Sequence, residues 1–126
     1  MHDPVRVMIV DDDASQLELL DRSLRSHGFD VLTCNSPIGV TNLICSFEPD
    51  VVLMDVNIPA LSGDRLLSIC RKWAPASTRF VLFSSWDETK LRGLARSVGA
   101  DGYLSKSVTG LDLATKVRAI ANSKSG

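Results

Sequence analysis

Residues 51–59 read Val-Val-Leu-Met-Asp-Val-Asn-Ile-Pro. Four consecutive apolar residues, led by two β-branched valines, match a short strand buried on both faces. Such a strand belongs in a parallel sheet covered by helices, and it delivers an acid, Asp55, at its carboxyl end. Outward from it, four more apolar runs lie at 5–10, 29–32, 80–83 and 102–104, and the five starts are 24, 22, 29 and 22 residues apart. The stretches between them carry helical spacing instead, as in Leu17, Leu20 and Leu24, or Leu91, Leu94, Ala95 and Val98. Strands alternating with helices of ~10–14 residues imply right-handed crossovers and a parallel sheet. The predicted fold class is α/β, five strands with helices on both faces. A closed eight-fold barrel would need roughly twice the length.

Local punctuation supports this division. Asp13 with Gln16 has capping-box spacing. Ser36-Pro37 is predicted to open the second helix, with Pro37 at its first position. Asp87 and Thr109 are expected N-caps of the last two helices, and Gly28 and Gly99 are placed to end helices in the left-handed conformation.

The 126 residues are 44% hydrophobic and 23% charged, and 14 Lys+Arg against 15 Asp+Glu leave a net charge of −1. That balance excludes wholesale disorder and gives no bulk attraction to nucleic acid or an anionic membrane. One domain over 1–126 is expected, with its core at about 5–121 and a frayed tail at 122–126. Cys34, Cys45 and Cys70 form no CxxC pair. They are read as reduced thiols packed as small apolar groups in an intracellular protein. No run approaches the ~20 apolar residues of a membrane span, and the start lacks signal-peptide character. A cytoplasmic location is expected.

The polar residues that follow the strands carry the functional signal. Asp11 and Asp12 follow the first, Asp55 the third, Ser84 and Ser85 the fourth, and Lys106 the fifth. In an open parallel sheet these carboxyl ends share one edge, where ligands bind. A strand order of 2-1-3-4-5 would put the second strand outside and cluster the other four ends. Each residue also has a plainer reading: Asp55 as a strand boundary, Asp13 as a helix cap, Ser85 as a turn residue, Lys106 as a solvated flank. Lys106 precedes a helix start, however, where the dipole disfavours a cation unless an anion is near.

Like charges ~4 Å apart repel by about 4 kcal/mol at an effective dielectric near 20. Asp11, Asp12 and Asp55 in one cleft therefore need a shared proton or a cation. An oxygen-lined site without His or Cys suits Mg²⁺ better than zinc. His2 and His27 lie outside the constellation. A divalent ion beside a carboxylate, a hydroxyl and a lysine is equipment for phosphoryl transfer to the carboxylate. Asp55 is the best nucleophile candidate, its product an aspartyl phosphate.

At these residues the chain resembles the receiver domain of two-component response regulators. The matching segments are Val-Met-Ile-Val-Asp-Asp-Asp at 7–13, the quoted 51–59, Val-Leu-Phe-Ser-Ser at 81–85 and Gly-Ala-Asp-Gly-Tyr-Leu-Ser-Lys at 99–106. The resemblance covers about residues 5–121. It implies the flavodoxin-like 2-1-3-4-5 sheet, and a phosphoryl group taken from a histidine kinase or phosphotransfer protein. By position, Asp55 would be the phosphoacceptor, Asp12 a direct Mg²⁺ ligand, Asp11 a ligand mainly through water, and Asn57 a carbonyl ligand. Ser84 would be the switch hydroxyl, Lys106 the phosphate-binding lysine and Tyr103 the switch aromatic. Asn57 and Trp86 would tune phosphoryl lifetime, the indole by shielding the acyl phosphate from water. The surface of the fourth helix, fifth strand and fifth helix would change on phosphorylation, for a protein partner or a phosphorylation-dependent homodimer.

The chain departs from the family pattern at Ser107, where proline commonly follows the lysine through a cis bond. A non-proline cis bond costs ~2.5–4 kcal/mol, so a trans bond with an altered loop is expected. Ser84 replaces the commoner threonine and should make a looser switch. Ala60 stands where glycine is frequent.

Two rival readings are an aspartate-nucleophile phosphatase and a degenerate receiver that only binds partners. The phosphatase would place a second carboxyl as general acid two residues after the nucleophile, but Asn57 stands there. Retention of the key polar groups weighs against the degenerate reading. A nucleotide- or flavin-binding domain is disfavoured because the first strand runs into three aspartates instead of a glycine-rich phosphate cradle. No DNA-binding effector fits after Ala121, so direct nucleic-acid binding is not expected. Lys90, Arg92 and Arg96 on the fourth helix are left as either a partner patch or a solvated face.

Overall fold

In the computed structural model, residues 4–57 and 63–123 are described. The strands are β1 (Arg6–Val10), β2 (Asp30–Cys34), β3 (Val51–Asp55), β4 (Arg79–Ser84) and β5 (Gly102–Ser105). The helices are α1 (Ala14–Ser26), α2 (Val40–Phe47), α3 (Gly63–Arg71), α4 (Glu88–Val98) and α5 (Gly110–Ala121), alternating with the strands. All strand pairs are parallel, in the order β2-β1-β3-β4-β5, as expected.

The pleat divides the core in two. Met8, Val10, Val52, Met54, Phe80 and Leu82 pack with Val40 and Ile44 of α2, Leu66, Leu67 and Cys70 of α3, and Leu91 and Ala95 of α4. Their alternates Val7, Ile9, Val51, Leu53, Val81 and Phe83 pack with Leu17, Leu20 and Leu24 of α1 and Leu113, Ala114 and Val117 of α5. All five residues of β3 are buried. This explains why the central run shows no polar alternation: both its faces are covered.

Asp13 caps α1 by accepting the N–H groups of Ser15 and Gln16 and the Ser15 hydroxyl. The Ser15 hydroxyl, then the Gln16 N–H, hold its carboxyl below the usual aspartate range. Asp87 caps α4 through the Lys90 N–H, and Gly28 and Gly99 take positive φ as expected. Thr109 stands at the N-cap of α5 without a side-chain capping bond.

The expected opening of α2 is corrected. Gly39, not Ser36, is its N-cap, in the left-handed region at φ 83°, and the helix starts at Val40. Ser36 instead accepts the Ile38 N–H, closing a local turn that competes with helix entry. The cysteine expectation is corrected at one position. Cys34 and Cys70 are buried, with burial pushing the Cys70 thiol up to about 12, but Cys45 is exposed on α2. At the carboxyl terminus, Arg79 donates to the Ser123 carbonyl and the Asn122 N–H donates to the Arg118 carbonyl. Residues 124–126 of the expected tail, His2, Ala60 and the 58–59 end of the opening motif lie outside the described residues.

Candidate functional site

The site lies at the carboxyl edge of the sheet and is assembled from three strand ends. Asp11 directly follows β1, its N–H bonded to the Cys34 carbonyl of neighbouring β2. Asp55 is the last residue of β3. Asp11 and Asp55 are 1% and 4% exposed, whereas Asp12 is open to solvent. One carboxylate oxygen from each lies within 4.8 Å of the others. The Lys106 ammonium, arriving from the end of β5, stands 2.9 Å from Asp11 Oδ2 and 3.3 Å from Asp55 Oδ1. It also passes 5.8 Å from the centroid of the Phe83 ring.

Backbone donors hold the two buried acids. Asp11 Oδ1 accepts the Asp13 N–H at 3.0 Å, and Asp55 Oδ1 accepts the Asn57 N–H at 3.3 Å. The Asn57 side chain is exposed beside the cleft. Three carboxylates against one ammonium leave the formal charge of the cleft at two negatives. Burial first, and then the Asp11 charge, raise the Asp55 carboxyl above the ordinary aspartate value, against the opposing pull of Lys106 and the Asn57 N–H. Burial works against the Lys106 ammonium, but its hydrogen bond to Asp11 and the charges of both acids together hold it above the ordinary lysine value. Hard oxygen donors with unbalanced negative charge, and no His or Cys ligand among the described residues, suit a small divalent cation.

Ser84 ends β4 and is fully buried. Its hydroxyl oxygen accepts the Trp86 N–H at 3.1 Å, and its carbonyl accepts the Lys106 N–H at 2.9 Å. Neither bond uses the hydroxyl proton. Ser85 is exposed in the turn that follows. Trp86 is half-buried against the α2–α4 core layer, with the Lys90 ammonium 4.0 Å from the indole centroid.

Tyr103 in β5 turns toward α4. Its hydroxyl accepts from Arg92 Nε at 3.0 Å and donates to Glu88 Oε1 at 3.4 Å, and Arg92 also pairs with Glu88 at 3.3 Å. Asp11, Asp12, Asp55 and Lys106 are therefore brought together, Ser84 sits on the adjoining strand end, and Tyr103 is engaged elsewhere. Two of the α4 cations left open in the sequence have intramolecular partners, Lys90 on Trp86 and Arg92 on Tyr103. The i,i+4 spacing of Glu88 and Arg92 signals their mutual pair, but nothing local signals Tyr103, eleven residues away. His27 closes α1 with Nδ1 2.8 Å from the Ser23 carbonyl, away from the acids. The peptide bond between Lys106 and Ser107 is trans, as expected.

Comparison with known proteins bears on the chain as a whole. The profile of the response regulator receiver domain matches residues 7–118. Protein RcaC of Microchaete diplosiphon is 34% identical over 90% of this chain and 18% of its own length. Response regulator MprA of a Mycobacterium species (strain KMS) is 32% identical over 93% of this chain and 50% of its own. The chain thus spans half or less of these relatives. Among solved structures, the signal receiver domain assigned to the response regulator NarL of Mycobacterium tuberculosis superposes with TM-score 0.85 at 28% identity, covering 98% of this chain and all of that one. Chemotaxis protein CheY4 of Vibrio cholerae shares the fold, with TM-score 0.83 at 21% identity, over 93% of this chain and 98% of its own. With three strand ends converging on one acidic cleft and a family match over residues 7–118, this chain belongs to the response regulator receiver domain family.

Proposed function

We propose that this chain is a phosphoacceptor switch whose Asp55 takes a phosphoryl group from a histidine kinase or phosphotransfer protein. The observation that carries the reading is Lys106 bridging two buried carboxylates beside an exposed third, an arrangement with two negative charges still to be balanced. An Asp55 oxygen attacks phosphorus, the phosphorus–nitrogen bond of a donor phosphohistidine breaks, and an acyl phosphate forms on Asp55. Asp11, Asp12, Asp55 and the Asn57 carbonyl would hold Mg²⁺, which supplies positive charge to the phosphoryl oxygens. Lys106 neutralises a second phosphoryl oxygen, and the Ser84 hydroxyl donates to a third.

Tyr103 is the read-out of the switch. Movement of Ser84 toward a phosphoryl group pulls on the Trp86 N–H and the β4–α4 turn, and so on the α4 residues that grip the tyrosine hydroxyl. The α4–β5–α5 surface is accordingly the partner-binding face, for a protein target or a second phosphorylated copy. The chain acts as one receiver unit in the cytoplasm and turns over no substrate besides its own phosphoryl group. Effector chemistry, such as that of the relative named DNA-binding response regulator MtrA, would reside outside the matched half.

Incubation with a small acyl phosphate and Mg²⁺ tests the proposal directly. One phosphoryl group per chain should appear on Asp55, and chelation of the metal should prevent it. Labelling that persists without divalent metal, or that maps to another residue, rejects the reading. A second outcome concerns Trp86. Replacing the indole in Trp86→Ala should open the β4–α4 turn to water and shorten the acyl-phosphate lifetime several-fold; equal lifetimes would end that role.

A further inference from the structure

We propose that the Ser105 hydroxyl is a positioning group for Lys106: it pins the loop that aims the ammonium at the phosphoryl site. The inference rests on the function proposed above and adds a residue to it. Every backbone N–H from 106 to 108 is satisfied, and Ser105 satisfies two of the three. The Lys106 N–H reaches across to the Ser84 carbonyl at 2.9 Å, while the Val108 N–H returns to the Ser105 carbonyl at 3.0 Å and closes a turn. Between them the Ser107 N–H donates to Ser105 Oγ at 3.2 Å, and the two serine hydroxyls bond to each other at 2.8 Å.

Lys106 therefore sits at the crest of a turn clamped on both sides. Its stem can span from β5 past Phe83 to Asp11 and Asp55 only if the backbone at 106 keeps this direction. Residue 107 is a serine, whose φ no ring restricts and whose N–H must be bonded or hydrated. A short side-chain hydroxyl bonding two residues on is a compact way to supply both the restraint and the acceptor. Ser105 also ends β5 opposite Ser84, so the clamp ties Lys106 to the strand end that carries the switch hydroxyl.

The test compares phosphoryl labelling of the full chain by a small acyl phosphate in the parent and four variants. Ser105→Ala should label roughly five-fold more slowly than the parent, the factor one ordinary hydrogen bond contributes. Ser105→Thr, which keeps the hydroxyl, should restore the parent rate. In a Lys106→Ala background, adding Ser105→Ala should change nothing, because the hydroxyl acts only through that lysine. Hydrogen exchange of the Ser107 amide is read in parallel and should be protected in the parent and fast in Ser105→Ala. A parent that labels on Asp55 together with a Ser105→Ala variant that labels equally fast overturns this inference and leaves the phosphoacceptor reading standing. A further slowing by Ser105→Ala without Lys106 also overturns it, by showing a general structural effect. Should the parent itself fail to label, the functional reading falls, and Ser107 exchange alone decides whether the clamp exists: unchanged exchange in Ser105→Ala rejects it.

Discussion

Asp55→Asn should abolish Mg²⁺-dependent phosphoryl labelling and, in metal-free buffer, raise the melting temperature. The first effect follows from chemistry: a carboxamide keeps the shape but lacks the anionic oxygen that attacks phosphorus. The second follows from the charge of the cleft. Burial and the neighbouring Asp11 raise the Asp55 carboxyl above its ordinary value, so the folded chain binds this proton more tightly than the unfolded chain does. Stability from this group is then greatest below the ordinary aspartate range and falls as pH rises through the raised value. At neutral pH its ionised form is a net cost, which asparagine removes while Lys106 keeps Asp11 as partner. Mg²⁺ should reverse the ranking, since an ion that binds only the folded site stabilises the parent by mass action. Labelling assays and paired melts with and without Mg²⁺ read both effects. A variant that labels, or one that melts below the parent without metal, contradicts this account.

Lys106→Ala should have the second largest effect, on rate and stability together. Loss of one preorganised cation at the phosphoryl oxygens costs on the order of 100-fold in labelling rate. It also strands Asp11 and Asp55, which are among the few charged side chains buried in the described structure. Breaking a buried pair from one side costs about 3 kcal/mol at the low end of the usual range, and the low end applies here because exposed Asp12 leaves the cleft open to water. In the parent, the lysine's contribution is fully present below its ordinary value and is lost only as pH rises through the raised folded value. The variant should therefore show its largest deficit at neutral pH in chelator and gain more from Mg²⁺ than the parent does. Equal Mg²⁺-induced shifts in melting temperature would show that Lys106 and the metal do not share the same carboxylates.

These expectations lean on residues of very different legibility. Val51 to Met54 could be read as a central strand because burial on both faces removes any polar alternation, and the structure buries all of them. The caps at Asp13 and Asp87 were equally plain, since a capping bond spans only two or three residues. At the α2 entry, Ser36 and Pro37 are compatible with either a helix start or a turn. The left-handed Gly39 decides for the turn. Residue type alone puts Cys45 in the interior, but its place on the outer side of α2 leaves it in solvent.

The acidic cluster was legible in composition but not in geometry. That Asp11, Asp12, Asp55 and Lys106 stand at or just past strand ends is a property of the chain order. That one ammonium touches two of the acids, and leaves the third exposed, is a property of sheet register and twist. Likewise the grip of Arg92 and Glu88 on Tyr103 depends on how α4 lies over β5.

Local rules of apolar periodicity and capping act over a few residues, and so the amino-acid order by itself determined five βα repeats, their parallel pairing and the identity of the residues at the strand ends. Electrostatic balance and hydrogen-bond direction depend on distances between residues far apart in the chain, such as the 95 positions separating Asp11 from Lys106. Only the tertiary structure decided which acids share the lysine, where the tyrosine is held and which serine steadies the loop, because those energies vary over ångströms that no local pattern encodes.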